Sequence, residues 1–103
     1  GVRVINVSDY YGNNGQNSWV QSIGLKVPNP DAHAGLQDTS ELMSLDAGGV
    51  RNPLRGVYTE RNYKETGAMG DATQASPNYG RQLLDLKIQA AVNQIAHVAR
   101  AAK

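Results

Sequence analysis

Val2-Arg3-Val4-Ile5-Asn6-Val7 places four apolar β-branched residues in six positions, at neighbouring as well as alternate sites. Strict alternation marks a strand with one wet face, whereas a near-continuous apolar run suits a strand covered on both faces, the usual setting of a parallel sheet. The stretch therefore predicts a buried parallel strand at residues 2–7 and an α/β fold. Next along the chain, Tyr10-Tyr11-Gly12-Asn13-Asn14-Gly15-Gln16-Asn17 is rich in residues that accept turns and positive φ. The chain is expected to leave the strand there into a loop, the place where ligand sites of α/β sheets gather. Residues 18–23 suit a short helical turn, and Pro28 and Pro30 predict an extended approach to His33.

Asp38-Thr39-Ser40-Glu41 precedes Leu42, Met43 and Leu45, with an acceptor side chain first and glutamate three residues later. That is the form of a capped helix start, and it predicts a short helix over residues 39–45. Gly48, Gly49 and Pro53 then interrupt regular structure, and between residues 46 and 75 only residues 56–59 suggest a strand. An irregular stretch this long is expected to carry function or to pack on other polypeptide. Ser76 can cap a helix and Pro77 suits its first position. Leu84, Ile88, Val92, Ile95, Ala99 and Ala102 follow at spacings of three and four, away from Lys87, Gln89, Asn93 and Arg100. This predicts a long amphipathic helix to the C-terminus with its apolar stripe against a sheet.

Composition narrows the function. The 103 residues carry a net charge of +1 with no basic stripe, which argues against nucleic acid as a partner. The chain has no cysteine, excluding disulfides, thiolate metal sites and cysteine nucleophiles. No apolar run approaches the roughly 20 residues of a membrane-spanning helix, so no membrane partner is expected. Phenylalanine is absent and Trp19 is the one tryptophan, leaving Val, Ile, Leu and Ala to build a modest core.

Few residues can carry chemistry. His97 lies within the final helix, far in sequence from any acidic cluster, and reads as a solvated side chain. His33 sits in Pro30-Asp31-Ala32-His33-Ala34-Gly35, where small neighbours allow close approach of a ligand, although a loop imidazole also commonly bonds only locally. Asp38 reads as a helix cap or as a metal ligand, and the second role needs companions, since a catalytic divalent site takes at least three protein groups. Asp9, Asp31 and Asp71 add carboxylates without any Glu-x-x-His or His-x-His spacing to join them.

The order of these residues resembles a family. His33-Ala34-Gly35-Leu36-Gln37-Asp38-Thr39-Ser40-Glu41-Leu42-Met43 is similar to the His-Ala/Gly-Gly-x-x-Glu-Thr-Ser-x-x-Met segment of the creatininase family of metal-dependent amidohydrolases. Gly67-Ala68-Met69-Gly70-Asp71-Ala72-Thr73-Gln74-Ala75-Ser76, with Gly80 beyond it, resembles that family's Gly-x-x-Gly-Asp-Pro-x-x-Ala-Thr run into its last helix. The resemblance implies that residues 1–103 are the C-terminal part of a single α/β domain, a mostly parallel sheet flanked by helices and ending in a long amphipathic helix. An N-terminal half, possessing the Glu-x-His and Asn-Gly-His motifs this chain lacks, is the implied partner.

It also implies two divalent ions, Zn or Mn, held mainly by that half, and homo-oligomeric assemblies. The implied reaction is hydrolysis of a non-peptide carbon–nitrogen bond in a small amide, cyclic amide or formamide. Position by position, His33 matches a histidine beside the metals that assists proton transfer to the departing nitrogen. Asp38 stands where the family has a glutamate, which gives it a metal-binding role through a side chain about 1.5 Å shorter. Ala32 stands where creatininase itself has glutamate, and Ala72 where the family has proline. Tyr10 and Tyr11, at the end of the first strand, are candidate substrate-binding residues, with ordinary packing as their other reading. A non-catalytic binding or assembly module that has lost its metals is the alternative to the enzyme, and Asp38 and Ala32 favour it.

Overall fold

A computed structural model describes residues 1–27 and 32–102. Their order is α1 (Asp9–Gly12), α2 (Gln16–Ser22), α3 (Leu36–Leu45), β1 (Val57–Tyr58), α4 (Glu60–Thr66), β2 (Gly70–Asp71) and α5 (Pro77–Ala101), with single 3-10 turns at Ala47–Gly49 and Asn52–Leu54. The expected extension at Pro28 and Pro30, and Asp31, lie outside the described residues. Of the described residues 60% are helical, the 3-10 turns included, and 4% are strand, which corrects the α/β expectation. The described sheet is one antiparallel pair, Val57 opposite Asp71 and Tyr58 opposite Gly70, where a mostly parallel sheet was predicted.

The largest correction concerns residues 2–7. They form no strand, and Val2 and Val4 are 94% and 92% exposed. β-branched residues favour strands because they pack against neighbours on a pleated surface, and among the described residues no strand lies alongside to supply them. Instead α5 holds the end of the segment: the Gln94 side chain donates to the Asn6 carbonyl at 3.1 Å and accepts from the Asp9 amide at 2.9 Å. The loop expected over residues 10–17 is partly helical, belonging to α1 and the start of α2, with Gly15 between them in the left-handed region at φ 80°.

Helices α3 and α5 cross to make the centre of the fold. At the crossing, a Cβ on Gly80 would overlap the Ser40 carbonyl, so only glycine permits this approach. Ser40 is fully buried, and its hydroxyl accepts the Ser76 amide at 3.2 Å. The Ser76 hydroxyl accepts the Tyr79 amide at 3.1 Å, the predicted N-cap of α5 with Pro77 just inside. Val20, Leu36, Ala75 and Leu83 form the core, with Trp19, Met43 and Tyr79 against it. Each fully buried Leu or Val contributes about 1.5–3 kcal/mol, so four small-to-medium side chains make a thin core.

The face that α5 buries differs from the predicted one. Gly80 and Leu83 are buried and Lys87 and Gln94 are half-buried, whereas Ile88, Val92 and Ile95 are 53%, 52% and 49% exposed. The helix packs through Gly80, Leu83 and polar anchors onto α1, α2 and α3, and among the described residues its most apolar stripe faces no sheet. Helix α3 starts at Leu36, with Gly35 as N-cap, so Asp38 lies inside the first turn where a cap was predicted. Fully buried Leu36 is drawn into the core, which moves the start upstream. The accessible surface is 7101 Å², against about 5,700 Å² for a compact monomer of this mass. Its radius of gyration is 15.8 Å, where about 13 Å is usual for this length.

Candidate functional site

The segment leading into α3 is a tight turn in which the Gly35 amide donates to the Ala32 carbonyl at 3.1 Å. Ala34 lies in the left-handed region at φ 54°, an uncommon conformation for a residue with a Cβ. Two side chains of α3 hold it there: the Ala34 amide donates to Asp38 Oδ2 at 3.1 Å, and the Thr39 hydroxyl donates to the Ala34 carbonyl at 3.0 Å. Asp38 Oδ1 takes no hydrogen bond among the described residues, which leaves that oxygen open to a ligand.

A second segment closes on this turn. The Met69 amide donates to the His33 carbonyl at 2.7 Å, and a Cβ on Gly35 would lie 3.2 Å from the Ala32 carbonyl and 3.4 Å from that of Met69. The turn at Gly35 thus has no room for a larger residue without displacing backbone. Asp71 organises the connection from β2 into α5, with its carboxylate accepting the Thr73 hydroxyl, the Thr73 amide at 2.8 Å and the Gln74 side chain at 3.4 Å. The Thr73 hydroxyl, chiefly, holds its pKa below the ordinary 3.8, with partial burial opposing.

A cleft of about 440 Å³ opens beside Asp38. Leu42, Val50, Leu54, Ala68 and Ala72 give it apolar walls, and Asp38, Thr39, Arg51, Arg55, Tyr58 and Thr66 place polar groups around it. Tyr58 is fixed by its hydroxyl, which donates to the Leu54 carbonyl at 2.6 Å. Arg55 Nη1 donates to the carbonyls of Ala72 at 3.4 Å and Ala75 at 3.2 Å, while its Nε is buried with no acceptor among the described residues.

His33 is exposed next to this cleft in sequence, with its ring over Tyr63 of α4 at 5.0 Å between centroids and 31° between planes. No hydrogen bond joins it to Asp38 among the described residues. Tyr10 and Tyr11 sit elsewhere, over the Lys87 ammonium at 5.1 and 5.6 Å. Lys87 pairs with Glu41 at 3.0 Å, and Glu41 also accepts from the buried Gln16 side chain at 2.7 Å. Tyr11 borders a separate polar groove of about 370 Å³ with Asn13, Asn14 and Gln37, and neither tyrosine lines the Asp38 cleft. Asp9 belongs to α1, Asp71 to its own turn, and His97 is exposed on α5.

Among the described residues, no three His, Asp or Glu side chains converge on a point that could hold a metal ion. Asp38 fits a metal as one ligand with a free oxygen and cannot make a site with its present neighbours alone. Arg51, Arg55, Tyr58 and Tyr63 were not singled out from sequence. They lie in the stretch without periodicity, and only Thr59, Asn62 and Gly67, the capping box and left-handed C-cap of α4, signalled order there. No helix is long and apolar enough to cross a membrane among the described residues. No family model, curated protein or solved structure matches the chain.

Proposed function

We propose that this chain forms part of a metal-dependent hydrolase of a non-peptide carbon–nitrogen bond, in an amide, cyclic amide or formamide, and that an N-terminal half completes it. The observation that supports this reading best is the joining of the two segments that resemble creatininases. They are 23 residues apart in sequence, from Met43 to Gly67 exclusive, yet Met69 bonds to His33, Ser76 to Ser40, and Ala34, Asp38, Thr39, Leu42, Ala68 and Ala72 border one cleft. Segments matched only by chance have no reason to meet at the proposed site.

In this reading Asp38 offers its free oxygen to a divalent ion, Zn or Mn, whose other ligands come from the completing polypeptide. The ion supplies Lewis-acid polarisation of the amide carbonyl when bound. His33 donates a proton to the departing nitrogen, a task for which imidazole is suited near neutral pH. Its exposure leaves the ring free to meet a substrate held from the other side. The uncovered surface supports the need for completion: Val2, Val4, Ile88, Val92 and Ile95 are more exposed than apolar side chains in a finished core, and the excess of about 1,400 Å² over a compact monomer exceeds one partner's share of a standard interface, about 800 Å².

The second reading is a binding or assembly module without catalysis, favoured by the bond from Ala34 that gives Asp38 a structural duty. The two separate on hydrolysis of an amide panel by the protein in its native assembly, with Zn or Mn supplied. Turnover that chelation abolishes, that metal restores and that His33→Ala reduces by a hundredfold or more, on the order of a lost general acid, supports the enzyme. An assembly that turns over no amide even with Zn or Mn supplied, or whose turnover ignores His33→Ala, supports the module.

A further inference from the structure

We infer that the cleft beside Asp38 selects a substrate carrying an anionic group, a carboxylate or phosphate, in addition to the bond it cleaves; this rests on the hydrolase reading above and names its substrate class. Two guanidinium groups, Arg51 and Arg55, border the cleft against one carboxylate, Asp38. Neither arginine forms an ion pair among the described residues, where the one salt bridge is Lys87 with Glu41. Arg55 is not free to turn outward: Nη1 is held by two carbonyls at the entry to α5, and Nε is buried without an acceptor among the described residues. A guanidinium held in the cleft wall by carbonyls, with no carboxylate paired to it among the described residues, is poised for an anion, since it is already ordered and partly stripped of water.

Arg51 complements it. Its side chain is exposed and makes no hydrogen bond among the described residues, so it can close over a ligand that Arg55 has already drawn in. The apolar walls from Leu42, Leu54 and Ala68 fit the carbon skeleton between the anionic group and the amide. Any divalent ion at Asp38 would add positive charge and strengthen the preference. A neutral amide would leave the excess positive charge of the cleft uncompensated.

Succinamate and succinamide test this, because they share a skeleton and an amide and differ by one carboxylate. Amide-resolved NMR titration of the full chain reads binding without requiring turnover. Succinamate is expected to shift the amides of Thr39, Val50, Arg51 and Ala68 and to bind about tenfold more tightly than succinamide, the order of one charged hydrogen bond. Arg51→Gln is expected to remove most of that preference and to leave the fold intact, since only the Arg51 backbone bonds within it among the described residues, its carbonyl accepting the Leu54 amide at 2.9 Å. Arg55→Gln is expected to act in the same direction, with the dispersion of the α5 amides reporting whether the helix is retained. Equal binding of the two compounds, a preference unchanged in Arg51→Gln, or no binding of succinamate would overturn the inference. Hydrolysis of neutral and anionic amides at equal rates would refute it while leaving the hydrolase standing, and selective binding of succinamate by an assembly that hydrolyses no amide would do the reverse.

Discussion

Replacing Gly80 by alanine should strike the crossing of α3 and α5 more sharply than any other single methyl group. The new Cβ would overlap the backbone carbonyl of Ser40, and neither helix can yield there by rotating a side chain. Overpacking costs about 1–3 kcal/mol, and a clash with backbone belongs near 3. Alanine returns about 1 kcal/mol through its helix propensity. The net loss is about 2 kcal/mol, a sizeable part of the roughly 5–15 kcal/mol that holds a domain together. In a urea titration followed by circular dichroism, with a slope of about 2 kcal/mol per molar, the midpoint should fall by about 1 M. Asn93→Ala, on the exposed face of α5, is the control and should change it little. If Gly80→Ala were as stable as the parent or more so, propensity would have won, and the close crossing of the two helices would be wrong.

Three further outcomes follow from the same contacts. Lys87→Met should destabilise by about 2 kcal/mol, between the values for surface and buried pairs, because the Lys87 and Glu41 side chains are each 12% exposed and Tyr10 and Tyr11 cover the ammonium; adding Glu41→Gln should recover part of the loss in a double-mutant cycle. Asp71 has its folded pKa below 3.8, so its turn contributes stability that is fully present above that value and disappears as the pH falls through the lower folded one; Thr73→Ala should shrink this acid-side dependence in denaturation curves taken across that window. Asp38→Ala should release Ala34 from its left-handed conformation and lower the protection of the Thr39 and Met69 amides in hydrogen exchange, since both bonds close the same turn.

The sequence carried the local signals well and the tertiary ones poorly. Ser76 and Pro77 announced the start of α5 because capping depends on residues adjacent in the chain, and the short strand near residue 57 and the helical turn near residue 18 were found for the same reason. Residues 2–7 read as a strand because their composition describes the surroundings that β-branched residues suit, while a strand also needs a neighbour, and among the described residues none pairs with them, the Gln94 side chain alone holding the Asn6 carbonyl. The stripe of Ile88, Val92 and Ile95 was visible as apolar, but which face packs was decided by Gly80 and Ser40, a pair separated by 40 positions and invisible to periodicity. At the site, His33 and Asp38 stood out because they share a short motif, and the structure ties Asp38 to a cleft. Arg55 carries no sequence signal because its significance lies in what surrounds it among the described residues, with no counter-ion and no acceptor for Nε, and that depends on contacts distant along the chain.

Asp38 is proposed above to serve a metal centre completed by other polypeptide. Metal content of the native assembly, measured by mass spectrometry side by side for the parent and Asp38→Asn, tests it most directly. About two equivalents of Zn or Mn per chain are expected in the parent, as in two-metal hydrolytic sites, with loss of at least one of them in Asp38→Asn while the assembly stays intact. A metal-free parent assembly, or a metal content unchanged by Asp38→Asn, would contradict it.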